Sequence, residues 1–426
     1  MTPSDLAPAL DLIIPETPGV SWRDLTPRFG AVFSLTQTGN TVLKVSANKY
    51  VTGQALLGSA NGNTLFFGRD LNPYNRLVLS TTRSWNDANR NFVPDCNLTL
   101  PGTTGECGPM TNQAFGTLRA ATSYDPDTLS GWGKRVYNWE FAAGVQHEIL
   151  PRTSLEATYY RRTYGNWVTT DNRAVSRSNF TGYQITAPVD PRLPGGGGYV
   201  IGGLFDVNPD KVGQVDNYVT YAENFGGQSE EWNGGDVIVN SRLAGVTLMG
   251  GFSTGRLSRN TCAVVEQLPE LLGPGGSADY CDFQDDWINQ LKLVGSYTLP
   301  KVDIQLGGAY QNIPSNELNS LVSNYVATNA VIAPSLGRPL SGGAANVQVN
   351  LLEPGAMYGE RINQLDLRFS KTFRLGGTKR ATVNFDIANA LNSNPVLQYS
   401  ESYGTWLQPL DVLQARFFKI GMKLDF

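Results

Sequence analysis

Apolar and polar residues alternate along this chain in short, paired runs. Phe29, Ala31, Phe33 and Leu35 share one parity. After a turn at Gln37-Thr-Gly-Asn40, Leu43, Val45 and Ala47 alternate with Lys44, Ser46 and Asn48. Period two marks a strand with one face in an apolar medium and the other near water. The clearest run is Val136 to Ile149, with Tyr137, Trp139, Phe141, Ala143, Val145 and Ile149 set against Asn138, Glu140, Gln146 and Glu148. It turns at Leu150-Pro-Arg152 and returns through Leu155, Ala157 and Tyr159. Three further hairpins turn at Ala244-Gly245, at Leu299-Pro-Lys301 and at Leu375-Gly-Gly-Thr378. Their alternating residues include Val237 and Val239 with Phe252, Leu291 and Leu293 with Tyr310, and Phe369 and Phe373 with Phe385. A closing strand, roughly 412–426, puts Phe418, Ile420, Met422, Leu424 and Phe426 on one face and Lys419, Gly421, Lys423 and Asp425 on the other.

The pattern predicts eleven strands, five hairpins and one closing strand, with tight turns alternating strictly with long connections. Those connections fall at about 52–134, 172–231, 257–283, 313–361 and 391–411. A soluble sandwich or propeller gives connections of similar length at both ends. Short turns on one side and long loops on the other are the plan of an outer-membrane barrel. The expected fold is therefore all-β, an antiparallel transmembrane β-barrel, with residues 1–27 in an extracellular loop segment and 28–426 in the barrel. Single-chain bacterial barrels have even strand numbers. Eleven strands leave two edges whose unpaired N–H and C=O groups each cost several kcal/mol in lipid. The expectation is half of a larger wall, with Met1 in an outer loop and more protein before it.

Composition sharpens this picture in three places. Charged residues are 16%, Gly numbers 46, and the net charge is −4, which excludes a nucleic-acid surface. No run approaches the 18 apolar residues of a membrane helix, and the mean hydropathy of −0.23 suits strands in which every second residue is apolar. Met1-Thr-Pro-Ser-Asp5 lacks the basic start and apolar core of a secretory signal. Four cysteines form two local groups, Cys96 with Cys107 and Cys262 with Cys281, without C-x-x-C spacing and with His147 as the one histidine. Short disulfide loops in an oxidising compartment are expected rather than a zinc site, although four cysteines allow three pairings.

Chemistry-bearing clusters are few. Asp87, Asn89, Asn91 and Asp95 occupy positions 1, 3, 5 and 9 of a calcium-loop spacing, but Phe92 stands at the glycine position and Leu98 at the glutamate position. The competing reading is an Asx-rich turn closed by a disulfide. His147 lies on the apolar parity beside a turn, a rim position, and no nucleophile–base pair emerges, so an enzyme is not expected. Gly195 to Gly198 lacks a following Lys-Ser/Thr and reads as flexible loop. Glu140, Glu148, Glu156, Arg162, Arg368 and Asp386 fall on the inward parity, as the solvated wall of a wide lumen. Trp139, Tyr137, Tyr297 and Tyr310, near strand ends, suit an aromatic girdle.

At the closing strand, Lys419-x-Gly421-x-x-Leu424-x-Phe426 resembles the signal that the outer-membrane barrel assembly machinery reads. Asn389-Ala-Leu-Asn392 resembles a turn near the end of TonB-dependent receptors. Trp22-Arg-Asp-Leu-Thr-Pro-Arg-Phe-Gly30, Tyr137-Asn-Trp-Glu-Phe141, Ser335-Leu-Gly-Arg-Pro-Leu340 and Tyr358-Gly-Glu-Arg-Ile-Asn-Gln-Leu-Asp366 are similar to the Oar-like subgroup. That subgroup often carries an N-terminal carboxypeptidase-regulatory-like domain. The resemblance implies the C-terminal half of a 22-strand barrel in the outer membrane of a Gram-negative bacterium. It implies a plug domain and TonB box that this sequence does not show, and contact with TonB through that other part. The implied partners are outer-membrane lipid, the assembly machinery and an unidentified ligand captured for uptake. The alternative is a structural or adhesive barrel without active transport.

Overall fold

The computed structural model describes residues 19–53, 80–110, 115–116, 122–315 and 320–426. Met1 and the rest of the expected outer segment up to residue 18 lie outside them, as do parts of the expected loops 52–134 and 313–361. Eleven strands pair in chain order into one antiparallel wall. They are β1 (Arg28–Ser34), β2 (Thr41–Val51), β3 (Tyr137–Leu150), β4 (Thr153–Gly165), β5 (Ser229–Leu243), β6 (Val246–Asn260), β7 (Ile288–Leu299), β8 (Ile304–Pro314), β9 (Arg361–Gly376), β10 (Lys379–Ala388) and β11 (Phe417–Asp425). A short strand, Asp282–Gln284, also pairs with the end of β6. Among the described residues, β1 and β11 each have one neighbour, so both outer edges are open there. The closing strand starts at Phe417 rather than near 412, because Pro409–Val412 pairs within the last loop instead.

The register carries the alternation across the whole wall. One face runs Phe33–Leu43–Val145–Ala157–Val237–Phe252–Leu291 through successive strands. Further along, the same face runs Tyr297–Leu306–Phe369–Phe385–Ile420. Many of these side chains are exposed, as are Phe418 at 60% and Met422 at 65%. The opposite face aligns Ser296–Gly307–Arg368–Asp386–Lys419. It holds the ion pairs Lys44–Glu156 (2.8 Å), Arg368–Asp386 (2.6 Å) and Arg162–Glu140. In water an apolar face of this extent would be an aggregation surface, whereas in lipid it needs no cover. The fold is an up-and-down β-barrel wall of the outer-membrane kind, and its apolar face is suited to lipid.

The buried apolar core sits in the loops. Among the described residues, Ile362 and Ala381 are the wall's only members of the buried hydrophobic set; the others lie in the connections. We number those connections loop 1 (52–136), loop 2 (166–228), loop 3 (261–287), loop 4 (315–360) and loop 5 (389–416). Loops 2, 4 and 5 share one core, in which Ile185, Leu204, Ile332, Val349, Leu352 and Trp406 are almost wholly buried. At Gly195–Gly198, read from sequence as flexible loop, the backbone makes a defined turn. All four glycines have positive φ, and a Cβ on Gly197 would lie 1.9 Å from the Pro188 carbonyl oxygen. The run is a built turn that only glycine can make. The loops form a folded cap on one end of the wall.

Candidate functional site

Between the cap and the loop end of the inner face lies a cavity of about 760 Å³. Asn138 of β3, Tyr164 of β4, Glu230 of β5 and Arg259 of β6 enter it from the inward parity. Loops 1, 2 and 3 add Arg135, Trp167 and Val264. The side chains are positioned by packing behind them. Trp167 leans on a small core of Ala222, Val264 and Leu268, and its carbonyl accepts from the Ala222 N–H at 2.8 Å. The Cys262–Cys281 disulfide ties the short helix Cys262–Gln267, which supplies Val264, to the strand paired with β6. The floor is therefore covalently pinned.

The cavity's charges are internally matched, and its neutral polar groups are not. Arg259 pairs with Glu230 at 2.8 Å and Arg135 with Asp24 at 2.7 Å. The Arg135 guanidinium lies 5.4 Å from the Trp22 ring, and the Tyr164 and Trp167 rings are 5.8 Å apart. By contrast, Asn138 Oδ1 and Trp167 Nε1 are buried with no hydrogen-bond partner. Each buried orphan costs about 1–3 kcal/mol, a local penalty on two residues that both line the cavity. Nearby, the Tyr221 hydroxyl shares its one proton between the carbonyls of Asp127 (2.9 Å) and Lys134 (2.8 Å). Burial, then Asp127 and Asp125, pushes its pKa up to about 12, which keeps it a donor and braces loop 1.

The residues singled out from sequence lie elsewhere. Cys96 pairs with Cys107 in loop 1, where the Arg83 guanidinium donates to the carbonyls of Asn97, Leu100 and Gly102. Asp87, Asn89, Asn91 and Asp95 do converge in that loop. Asp95 Oδ2 accepts from the amides of Asn89 (2.6 Å) and Asn91 (2.9 Å), and Asp87 accepts from the N–H groups of Asn91 and Phe92. Their oxygens serve the loop's own donors, as an Asx-rich turn requires. Lys419 and Gly421 face inward on β11, Leu424 faces outward opposite Ala381, and Phe426 follows the strand at 90% exposure. His147 Nδ1 lies 2.8 Å from Thr41 Oγ1 on the outer parity.

Several segments quoted for the resemblance prove to be clamps between distant parts. Trp22 Nε1 donates to the Thr128 carbonyl at 2.8 Å. Arg338 holds Asp206 at 2.5 Å and thereby joins loop 4 to loop 2. Arg361 donates to Asn312 Oδ1 at 2.6 Å and to the Asn289 carbonyl at 2.6 Å. Asn389 and Asn392 take left-handed φ of 49° and 52°. The buried Asn389 side chain donates to the carbonyls of Ser393 (2.8 Å) and Gln414 (2.9 Å), which sets the path of loop 5 back to β11. Nothing in the local pattern singles out Asn138 or Trp167; Trp167 in an Asn-Trp-Val run after a strand is the one faint cue.

No family model and no curated protein matches this chain. Among solved structures, it is similar to the outer membrane transporter YddB from Escherichia coli, at 12% identity and TM-score 0.43 over 93% of this chain and 40% of that one. It is similar to the ferripyoverdine receptor of the Pseudomonas aeruginosa outer membrane at 11% identity and TM-score 0.39, over 93% and 32%. It is similar to the Pseudomonas putida toluene transporter TodX at 10% identity and TM-score 0.26, over 94% and 73%. The chain thus spans well under half the length of the first two. With scores this low, the wall's own geometry has to carry any functional assignment.

Proposed function

We propose that this chain is part of a TonB-dependent outer-membrane receptor of the Oar-like group, contributing eleven strands to a wall of about 22. The observation that carries the receptor role is the cavity beneath the cap, with its paired charges and its aromatic walls. Because its charges are already paired, the guest is an uncharged molecule with a flat face, able to stack on the rings. Capture comes first, and passage draws on energy delivered by the TonB system through parts of the receptor other than these residues. The two open edges support a larger wall, because lipid does not tolerate unpaired backbone groups. The β11 alternation ending at Phe426 supports recognition by the barrel assembly machinery.

Two measurements test this. An epitope inserted at Gly213 should bind antibody on intact cells, and one at Gly377 only after the outer membrane is opened. The reverse pattern would overturn the orientation. Uptake of neutral oligosaccharides and of aromatic amides by cells carrying the native gene should stop when the inner-membrane proton gradient is dissipated. Binding that persists without gradient-dependent uptake would instead select the adhesive role.

A further inference from the structure

Charge is unevenly spread along the turn end of the wall. The β1–β2 turn carries none, and the β5–β6 turn carries Arg242 alone. The adjacent β7–β8 and β9–β10 hairpins carry Lys301, Lys371, Arg374, Lys379 and Arg380 at or beside their turns, with Asp303 as their one acid. Asp303 is fully engaged: Arg374 Nε and Nη2 grip its two oxygens at 2.9 and 3.0 Å. Arg374, and after it Lys371 and Arg380, hold its carboxyl below the usual range. Arg374 and Arg380 sit directly opposite each other in the register, a like-charge pairing that costs stability without an anion between them. Asp425, the acid opposite Arg380, is taken by Lys423 at 2.8 Å.

Lys371 is the sharper anomaly. It stands on the lipid-facing parity of β9, between Phe369 and Phe373, opposite Ile304 and Val383. Its ammonium lies 5.7 Å from the Phe373 ring centre and donates to the Val302 carbonyl, bent towards the rim. A cation on that face is costly unless it reaches the headgroup level and an anion there. Exposed Phe373, Leu375 and Val302 border it with apolar surface suited to an acyl chain.

We propose that this corner binds an anionic phospholipid of the inner leaflet, with its phosphate between Lys371 and Lys379 and its acyl chain along Phe373 and Leu375. The site rests on the membrane assignment and explains a charge cluster that ligand capture at the opposite end leaves unused. Each basic residue near a lipid surface contributes about five-fold in affinity.

The test uses the protein as purified from outer membranes, in neutral phosphatidylcholine vesicles with or without phosphatidylglycerol. Native mass spectrometry after mild release reads the lipid retained. Wild type should keep phosphatidylglycerol about ten-fold over phosphatidylcholine, and the Lys371→Gln/Lys379→Gln double variant should lose that preference. Arg242→Gln should keep it, and equimolar inorganic phosphate should not displace the lipid. Equal retention by wild type and the double variant, equal loss in Arg242→Gln, or displacement by free phosphate would overturn the lipid site. Failure to enter either vesicle overturns the membrane assignment and the site together; entry without lipid preference overturns the site alone.

Discussion

Single residues here are defined by what they leave unmade or hold in an unusual conformation. Trp167 Nε1 is buried with no hydrogen-bond partner. Trp167→Phe should therefore stabilise the loops by about 1 kcal/mol, read as slower amide exchange over residues 167–170. Faster exchange would show that the indole N–H is already satisfied. Asn389 is the opposite case, buried at φ 49° with both side-chain donations made. Asn389→Ala should cost roughly 2–4 kcal/mol in urea unfolding of the folded receptor. Asn389→Gly keeps the backbone freedom and should lose only the hydrogen-bond part. The motif Asn389-Ala-Leu-Asn392 could be picked out from sequence, but its work as a clamp on Gln414, 25 positions away, could not.

At the scale of elements, hairpins and loops obey different physics. A hairpin is stabilised by near neighbours and by the medium each face meets, so alternation read along the chain locates it. The loops depend on partners far away, such as Tyr199, whose hydroxyl donates to the Leu351 carbonyl at 2.6 Å. Asp190 and Arg192 tie loop 2 to loop 5, with Arg192 Nη1 donating to the Trp406 carbonyl at 3.0 Å. Hydrogen bonds from Arg192 hold the Asp190 carboxyl well below the usual carboxylate range. A depressed folded pKa adds stability above the unfolded value and loses it as pH falls through the folded one. Cap protection against protease should therefore stay flat from pH 7 to about 4 and fail only on stronger acidification. Asp190→Asn should loosen the cap already at neutral pH. In loop 1, the donors already aimed at Asp87 and Asp95 predict identical protease cleavage with calcium and with chelator; protection by calcium would show that the cation displaces them.

At the scale of the molecule, the wall is inside-out relative to a water-soluble domain: its apolar face is exposed, and its core lies in the cap. Open edges at β1 and β11 then decide how the chain behaves by itself. These 426 residues expressed alone should associate edge to edge or aggregate, with no discrete monomer in vesicles. A stable monomer with a fixed conductance would contradict the larger wall. Both edge strands descend from the loop side to the turn side, so antiparallel closure needs a further wall whose two end strands ascend.

The number of wall strands, their faces, their turns and the membrane as their surroundings could all be read from alternation. A strand's side chains must match two media at every second position, and that constraint is written locally. The sequence by itself also marked the four cysteines and the final aromatic strand. It did not reveal that the connections fold into a cap, that Gly195–Gly198 makes a turn of four left-handed glycines, or that Asn138 and Trp167 line one cavity. Nor did it show that Arg374 of one hairpin grips Asp303 of the next. Those facts arise where segments many residues apart are brought together, and only the tertiary structure decides which distant neighbours a loop residue finds.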